Sequence, residues 1–262
     1  MPAPTDMLSE ASLRRSLGDL DPFFSIFVHS SLDSTNSEAR RLAATSVPLP
    51  AVIAADTQTA GRGRMGRGFF SPAGTGLYFS LLYESSASPA DAVTVTGAAA
   101  VAVMHAIRSL TGMQVSIKWV NDLYLGGKKI CGILAESIFA GNTPPRFILG
   151  IGVNLSTEAF PEELSAIAGS LMASGVSRAD LLAQILRELN PFLQDPTDRS
   201  WLADYRAHSL VIGKRVAWTR EGQVEHGIAL DIDANGGLSV RSDAGVTQTL
   251  RTGEISLRVC NP

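Results

Sequence analysis

Gln114-Val115-Ser116-Ile117-Lys118-Trp119-Val120-Asn121-Asp122, running on into Leu123-Tyr124-Leu125-Gly126-Gly127-Lys128-Lys129-Ile130-Cys131-Gly132-Ile133-Leu134, is the stretch on which the fold is read. Val115, Ile117 and Trp119 alternate with Ser116 and Lys118, the period of a half-buried strand. Gly126-Gly127 supplies the positive φ angles of a tight turn, so Tyr124–Lys129 reads as a hairpin and Ile130–Ile138 as its returning strand. The two lysines fall on opposite faces of that strand. One must point inward, towards the face that the apolar residues line, and a buried ammonium is costly unless it meets an anion.

The neighbouring segments extend the sheet. Phe147–Leu155 is a further strand, and strands are also expected at Phe23–His29, Ala51–Ala55 and Leu77–Tyr83. Residues 91–110 read as a helix with Ala99, Ala100, Val103, Met104, Ile107 and Leu110 on one side. A short helix is expected over Leu8–Leu17. Another, capped by Ser177 and Asp180, bears Leu181, Leu182, Ile185, Leu186 and Leu189. Asp33-Ser34-Thr35-Asn36 is a turn that opens a helix, with Thr35 and Glu38 fitting a capping box and Ala39, Leu42 and Ala43 marking the buried side. After about residue 208 the pattern shifts to short strands at 214–219, 223–232, 237–241, 246–250 and 254–259, the signature of a small β-barrel. The expected fold is therefore α+β: a mostly antiparallel mixed sheet flanked by helices over residues 1–208, and a barrel over 209–262.

Composition narrows the function. The 262 residues are 45% hydrophobic and 18% charged, which supports a core and rules out wholesale disorder. A net charge of −3 and a pI near 5.8 leave no global basic field for nucleic acid. Two cysteines, Cys131 and Cys260, make no disulfide framework and suit a reducing compartment. The N-terminus is neither basic nor followed by a leader's apolar run, and Val93–Ile107 is interrupted by Thr94, Thr96, Gly97 and His105, short of a membrane span. The expectation is a cytoplasmic protein without membrane contact.

Four segments can carry chemistry. In Gly61-Arg62-Gly63-Arg64-Met65-Gly66-Arg67-Gly68 the glycines permit close backbone approach, and the guanidiniums can grip phosphate or carboxylate in bidentate fashion. Phe69-Phe70-Ser71-Pro72 opens no helix, so the G-x-G-x-x-G match is no dinucleotide fingerprint. Taken alone, the loop equally suits a solvated surface. Lys118-Trp119-Val120-Asn121-Asp122 taken alone reads as a solvated lysine and a turn. Lys128-Lys129-Ile130-Cys131-Gly132-Ile133-Leu134 brings the inward lysine, and Gly150-Ile151-Gly152-Val153-Asn154 has glycines that admit a ligand or a packed neighbour. Only four of the 22 basic residues are lysines, and three of them lie between 118 and 129. His29, His105, His208 and His226 show no metal spacing with either cysteine, and neither a G-x-S-x-G elbow nor kinase motifs occur.

The order and spacing of these segments resemble the bacterial biotin protein ligases. Asp33-Ser34-Thr35-Asn36, Gln58-Thr59-Ala60-Gly61-Arg62-Gly63-Arg64, K-W-x-N-D at 118–122, Lys129-Ile130-Cys131-Gly132-Ile133-Leu134 and Gly150–Asn154 follow in the family's order. Gly253-Glu254-Ile255-Ser256-Leu257-Arg258 is similar to the end of the family's C-terminal barrel. The resemblance spans roughly residues 25 to 260 and implies a class II synthetase-like core with an SH3-like barrel. It departs at Val120, where the family has proline, at Met65, and at Phe69, where some members have tryptophan. Only about thirty residues precede Ser34, too few for the winged DNA-binding domain of regulatory members, so a catalytic-only form without specific DNA binding is expected.

What the resemblance implies is ATP-dependent formation of biotinyl-5'-adenylate and transfer of biotin to a lysine of a biotin carboxyl carrier domain. It puts Arg64 and Lys129 on the carboxylate and α-phosphate. Arg62, Arg67 and Lys118 serve the adenylate or triphosphate, and Asn121, Asp122 and Asn154 orient the nucleotide. Ser34, Thr35, Asn36 and Gln58 hydrogen-bond the biotin ring and tail; Gly61, Arg62, Gly63, Arg64 and Lys129 are also on the biotin-binding side, and Gly132 leaves room for the bicycle. Mg²⁺ would be held mainly through phosphates, without a protein metal site, and the chain would be a monomer or homodimer. The rival readings are a lipoate–protein ligase, a nucleic-acid-binding module and a catalytically dead scaffold.

Overall fold

A computed structural model describes residues 7–85, 92–138, 145–220, 222–251 and 258–259 of the chain. In order, these form α1 (Glu10–Leu17), β1 (Ser25–Leu32), α2 (Thr35–Leu42), β2 (Ala51–Gln58), β3 (Gly76–Glu84), α3 (Ala92–Thr111), β4 (Ser116–Lys118), β5 (Asp122–Leu125), β6 (Lys128–Ile138) and β7 (Arg146–Asn154). There follow α4 (Glu162–Ser165), α5 (Arg178–Gln194), α6 (Trp201–Ala207), β8 (Arg215–Arg220), β9 (Gln223–Ile232), β10 (Leu238–Ser242), β11 (Thr247–Leu250) and β12 (Arg258–Val259).

Strands β1 to β7 form one sheet in the order β1-β2-β3-β7-β6-β5-β4, in which only β1 and β2 run parallel. β3, between β2 and β7, is buried from Leu77 to Tyr83, and its alternation divides the molecule. Leu77, Phe79, Leu81 and Tyr83 join the main core beneath α3 and α5. Leu82 faces the other way, onto Ala39 of α2. α3 is buried from Ala98 to Val103 because it lies between sheet and helices, and Gly97 is where α6 closes on it: a Cβ there would come within 2.5 Å of the Trp201 ring. Truncating a core residue such as Leu81 to alanine is expected to cost about 2–5 kcal/mol.

The hairpin forms as its sequence predicts, with Gly126 and Gly127 at φ 57° and 81°. Four expectations are corrected. β1 begins at Ser25, not Phe23, because Gly18–Phe23 winds into a short 3₁₀ segment around Pro22. β4 is only Ser116–Lys118, since residues 119–121 turn the corner into β5. Ser34 is the N-cap of α2 without any side-chain cap, because the Thr35 hydroxyl is engaged by the sheet below rather than by its own helix. The fourth concerns the two lysines. Leu123 faces Cys131 but Tyr124 faces Lys129, so β6 holds one extra residue, a bulge at Ile130. Lys129 thereby shares a face with Gly132, not with apolar Cys131 and Ile133. It still points inward, but into the open face of the sheet.

β8 to β12 form a second, antiparallel sheet in the order β11-β10-β9-β8-β12. The strand expected over 254–259 is described only at Arg258–Val259; Cys260 and most of the 253–258 motif lie outside the described residues. This sheet shares the main core through Val216, Trp218, Leu238 and Val240. The Trp119 indole donates to Gly236 O at 2.9 Å, while Ile117 N donates to His208 O and Leu210 N to Ile117 O, both at 2.8 Å. The expected junction at 208/209 is thus itself paired to β4. No helix among the described residues is long and apolar enough to cross a membrane.

Candidate active site

The sheet face opposite α3 is hollowed by glycine. Gly132 and Gly152 pair across β6 and β7, and Gly150 pairs with Leu134. A Cβ on Gly150 would lie 2.0 Å from Asn36 Oδ1, and one on Gly152 2.6 Å from the Phe69 ring. These glycines let α2 and the arginine-glycine loop descend onto the sheet, and the cavity left between them is about 400 Å³. That is a size typical of small-molecule sites. Every predicted site residue except Gly61 lines it. Gly61 lies at the loop's base, where a Cβ would come within 2.3 Å of Phe69 O.

At one end a chain of hydrogen bonds forms the floor. Gln58 Nε2 donates to Ser71 Oγ at 2.8 Å, and Gln58 Oε1 accepts from Thr35 N and Thr35 Oγ1 at 2.8 and 3.2 Å. The Ser80 hydroxyl, wholly buried, lies 2.8 Å from Thr35 Oγ1 and 2.6 Å from Asn36 Oδ1; Asn36 Nδ2 donates to Glu136 Oε2 at 2.7 Å. Ser34 is buried beside them. Asn36 is therefore oriented on both sides by protein, a supporting member of the floor. The sequence reading missed Ser71, Ser80 and Glu136. The available signal for Ser80 was a small hydroxyl residue within the apolar run Leu77–Tyr83 of β3.

The charged lining of the cavity is cationic. Five lining side chains are positive (Arg62, Arg64, Arg67, Lys118 and Lys129) and one, Asp122, is negative. That is a local excess of four in a chain of net charge −3. Lys129 Nζ lies 2.7 Å from Asp122 Oδ1, and Lys118 Nζ stands 5.5 Å from the Tyr124 ring centroid, within cation–π range. Arg64 donates to Asn121 Oδ1 at 3.0 Å, and Asn121 Nδ2 donates to Ile133 O at 2.9 Å. Asn121 thus fixes the guanidinium to β6, with both ends of its amide engaged. Burial holds the Arg64 pKa below its ordinary value, opposed by the Asp122 charge and reinforced by Arg67. A half-desolvated cation of this kind gains most when an anion arrives.

The corner that carries Asn121 and Asp122 is propped from behind. The buried Tyr205 hydroxyl donates to Val120 O at 3.1 Å, and burial pushes that phenol well above its usual range. Asn154 reaches the cavity from the end of β7, its Nδ2 donating to Gly169 O and its buried Oδ1 without a hydrogen-bond partner. A wall that the sequence did not announce, residues 161–172, is stitched on by backbone bonds. Lys129 N donates to Ile167 O, Gly169 N to Lys129 O and Leu171 N to Asn154 O. Cys131 is fully buried with its thiol pushed far up by desolvation, so it supplies no thiolate nucleophile. No group of three or more His, Cys, Asp or Glu able to hold a metal occurs among the described residues.

The glycines rank by what lies above them. In Gly150→Ala the new methyl meets an Asn36 pinned by two partners, so this variant is expected to lose about 1–3 kcal/mol by overpacking. Gly132→Ala meets Phe69 at 3.2 Å and the flexible end of Lys129 at 3.3 Å, which can give way. Urea denaturation of both variants checks the order.

Comparison with known proteins bears on what this cavity takes. Residues 28–154 match the Biotin/lipoate A/B protein ligase family, and residues 211–258 match the biotin protein ligase C-terminal domain. The chain is 33% identical over 251 residues to the bifunctional ligase/repressor BirA of Bacillus subtilis (strain 168), covering 91% of this chain and 76% of that protein. It is 34% identical over 260 residues to a biotin–[acetyl-CoA-carboxylase] ligase of Mycobacterium tuberculosis, covering 95% of each. Among solved structures, the biotin protein ligase from Aquifex aeolicus in complex with biotin and ATP superposes with a TM-score of 0.76 at 27% identity, covering 90% of this chain and 99% of the other.

Proposed function

This chain belongs to the biotin protein ligase family, and from that premise we propose how its cavity works. It is an ATP-dependent biotin–[acetyl-CoA-carboxylase] ligase. A biotin carboxylate oxygen attacks the α-phosphorus of ATP, forming biotinyl-5'-adenylate and releasing pyrophosphate. A carrier lysine amine then attacks the activated carbonyl, and AMP leaves as the amide forms. The observation that carries this reading is one cavity that joins a fixed polar floor to a lining with an excess of four positive charges.

The proposed roles draw on this geometry. The floor of Ser34, Thr35 and Gln58 faces the ureido ring, with Asn36 and Ser80 fixing its donors and acceptors. Arg64 and Lys129 meet the carboxylate and α-phosphate, two anions whose approach needs preorganised positive charge. Asp122 holds Lys129 and Asn121 holds Arg64. Lys118 and Arg67 reach the outer phosphates, and Asn154 with the 161–172 wall faces the nucleoside. Asp122 is the cavity's single carboxylate and is ion-paired, so the residues do not fit a protein-held Mg²⁺; the ion would travel on the triphosphate. We assign residues 1–208 to this catalysis and 209–262 to the appended barrel. The macromolecular partner is a biotin carboxyl carrier domain, and the expected setting is the cytoplasm.

The floor also argues against lipoate. A dithiolane offers no hydrogen-bonding group to this polar floor and would gain nothing from it, whereas a ureido ring presents both donors and acceptors. Incubation with ATP, a carrier domain and equal biotin and lipoate should add one biotinyl group, and no lipoyl group, to the carrier's mass. Lipoyl addition, or an unchanged carrier, would overturn the assignment.

A further inference from the structure

Glu136 lies on the cavity side of β6, four residues beyond Gly132, and only 16% of its side chain is exposed. One carboxylate oxygen accepts from Asn36 Nδ2 at 2.7 Å. The other accepts from Arg40 at 3.0 Å and from Arg62 at 3.2 Å. Two segments distant in sequence therefore meet on one anion: α2, through its first turn and its solvent face, and the entry of the arginine-glycine loop. The loop's other side-chain tie to the sheet is Arg64 to Asn121.

We propose that Glu136 is a positioning residue that couples the biotin floor to the arginine-glycine loop, fixing the Asn36 amide with one oxygen and holding Arg62 with the other. The proposal rests on the biotin reading for its substrate but on geometry alone for its network. Arg62 was expected both in the biotin-binding loop and at the adenylate or triphosphate. In the structure it is drawn to the floor end, 74 residues along the chain from its partner. Arg62 therefore sets where the loop sits, and Arg64, Arg67 and Lys129 are left to face the reacting anions.

A carboxylate is needed for both tasks. Glutamine has one acceptor oxygen and one amide nitrogen. If its oxygen serves Asn36, its NH₂ opposes two guanidiniums, and if it turns, its NH₂ opposes the NH₂ of Asn36. Glu136→Gln keeps size and fold yet must fail on one side, whereas Glu136→Asp keeps the charge on a shorter arm. The floor touches biotin directly, whereas the loop keeps its own tie to Asn121 through Arg64, so the larger defect should fall on biotin.

The experiment measures KM for biotin and for ATP separately, with kcat, in the wild type, Glu136→Gln, Glu136→Asp and Arg62→Ala, and in the Glu136→Gln/Arg62→Ala double variant. Loss of a charged hydrogen bond predicts a rise of about tenfold in the biotin KM for Glu136→Gln. The ATP KM and kcat should stay within about twofold, Glu136→Asp should recover part of the loss, and the double variant should be no worse than the poorer single. Equal changes in both KM values, or additive effects in the double variant, would overturn the proposal. Hydrogen exchange of residues 34–36 and 61–68 in the wild type and Glu136→Gln gives a readout independent of turnover. Faster exchange in both segments supports the coupling, and unchanged exchange refutes it, even if the wild type proves inactive with biotin and the ligase reading itself falls.

Discussion

Replacing Lys129 with alanine should lower pyrophosphate release from ATP and biotin by a factor on the order of 10²–10³. Its ammonium lies on the open face of the sheet beside Gly132, and Asp122 is its ion-pair partner. Removing it does two things. It withdraws a preorganised charge from the forming phosphoanhydride, and it leaves Asp122 as an uncompensated anion facing two more. The double variant with Asp122→Asn should therefore recover part of the lost rate, a non-additivity expected of groups in direct contact. Lys129→Arg should fall between, because a planar guanidinium cannot replace a compact ammonium. The side chain belongs to the cavity and not to either core, so the melting temperature should move by no more than about 2–4 °C. Wild-type pyrophosphate release from Lys129→Ala would remove the residue from the mechanism.

That lysine also shows where sequence reading succeeds and where it stops. Alternation of Val115, Ile117 and Trp119 and the Gly126-Gly127 turn are local signals, and local signals place a hairpin correctly. Strict alternation, however, would set Lys129 and Gly132 on opposite faces. The bulge at Ile130 reverses this, and it depends on cross-strand register: Asn121 O accepts from Ile133 N while its side chain donates to Ile133 O. Register is a property of two strands and cannot be seen in one. The same limit hid Ser80 and Glu136. Ser80 looks like a blemish in an apolar strand until β3 is placed beside β7 and Gly150 beneath Asn36. Thr35 read as part of a capping box because the competing partners, Gln58 and Ser80, are 23 and 45 residues away. The cationic loop and its companions were weak signals singly and became legible through their order and spacing, which resemble the biotin protein ligases. The wall at 161–172 was not, because backbone hydrogen bonds that any residue can make hold it in place.

Arg64→Gly should increase escape of biotinyl-adenylate by about 10- to 100-fold, the loss of one charge-assisted contact to an anion. None of residues 61–68 is buried. The loop keeps its shape through bonds to itself, Gly63 N to Arg67 O at 2.7 Å, Arg67 N to Arg64 O at 3.2 Å and Phe69 N to Gly61 O at 2.9 Å. It meets the rest of the site through two guanidiniums, Arg62 on Glu136 and Arg64 on Asn121. A segment with so little apolar burial opens at low free energy, and fixing each residue costs roughly 1–2 kcal/mol. On the proposed assignment Arg64 meets the adenylate from a half-desolvated position, so the anion and the closed loop would stabilise each other and closure would be linked to ligand affinity. The closed loop would also shield the mixed anhydride from water until the carrier lysine arrives. Hydrogen exchange of residues 61–68 should therefore slow when biotin and ATP are added to the wild type, and slow much less in Arg64→Gly. Adenylate released by the variant should acylate lysines of a bystander protein in the same vessel, scored by biotin incorporation. Equal protection of the loop with and without ligand, together with an unlabelled bystander, would sink the gating argument and leave the ligase assignment standing.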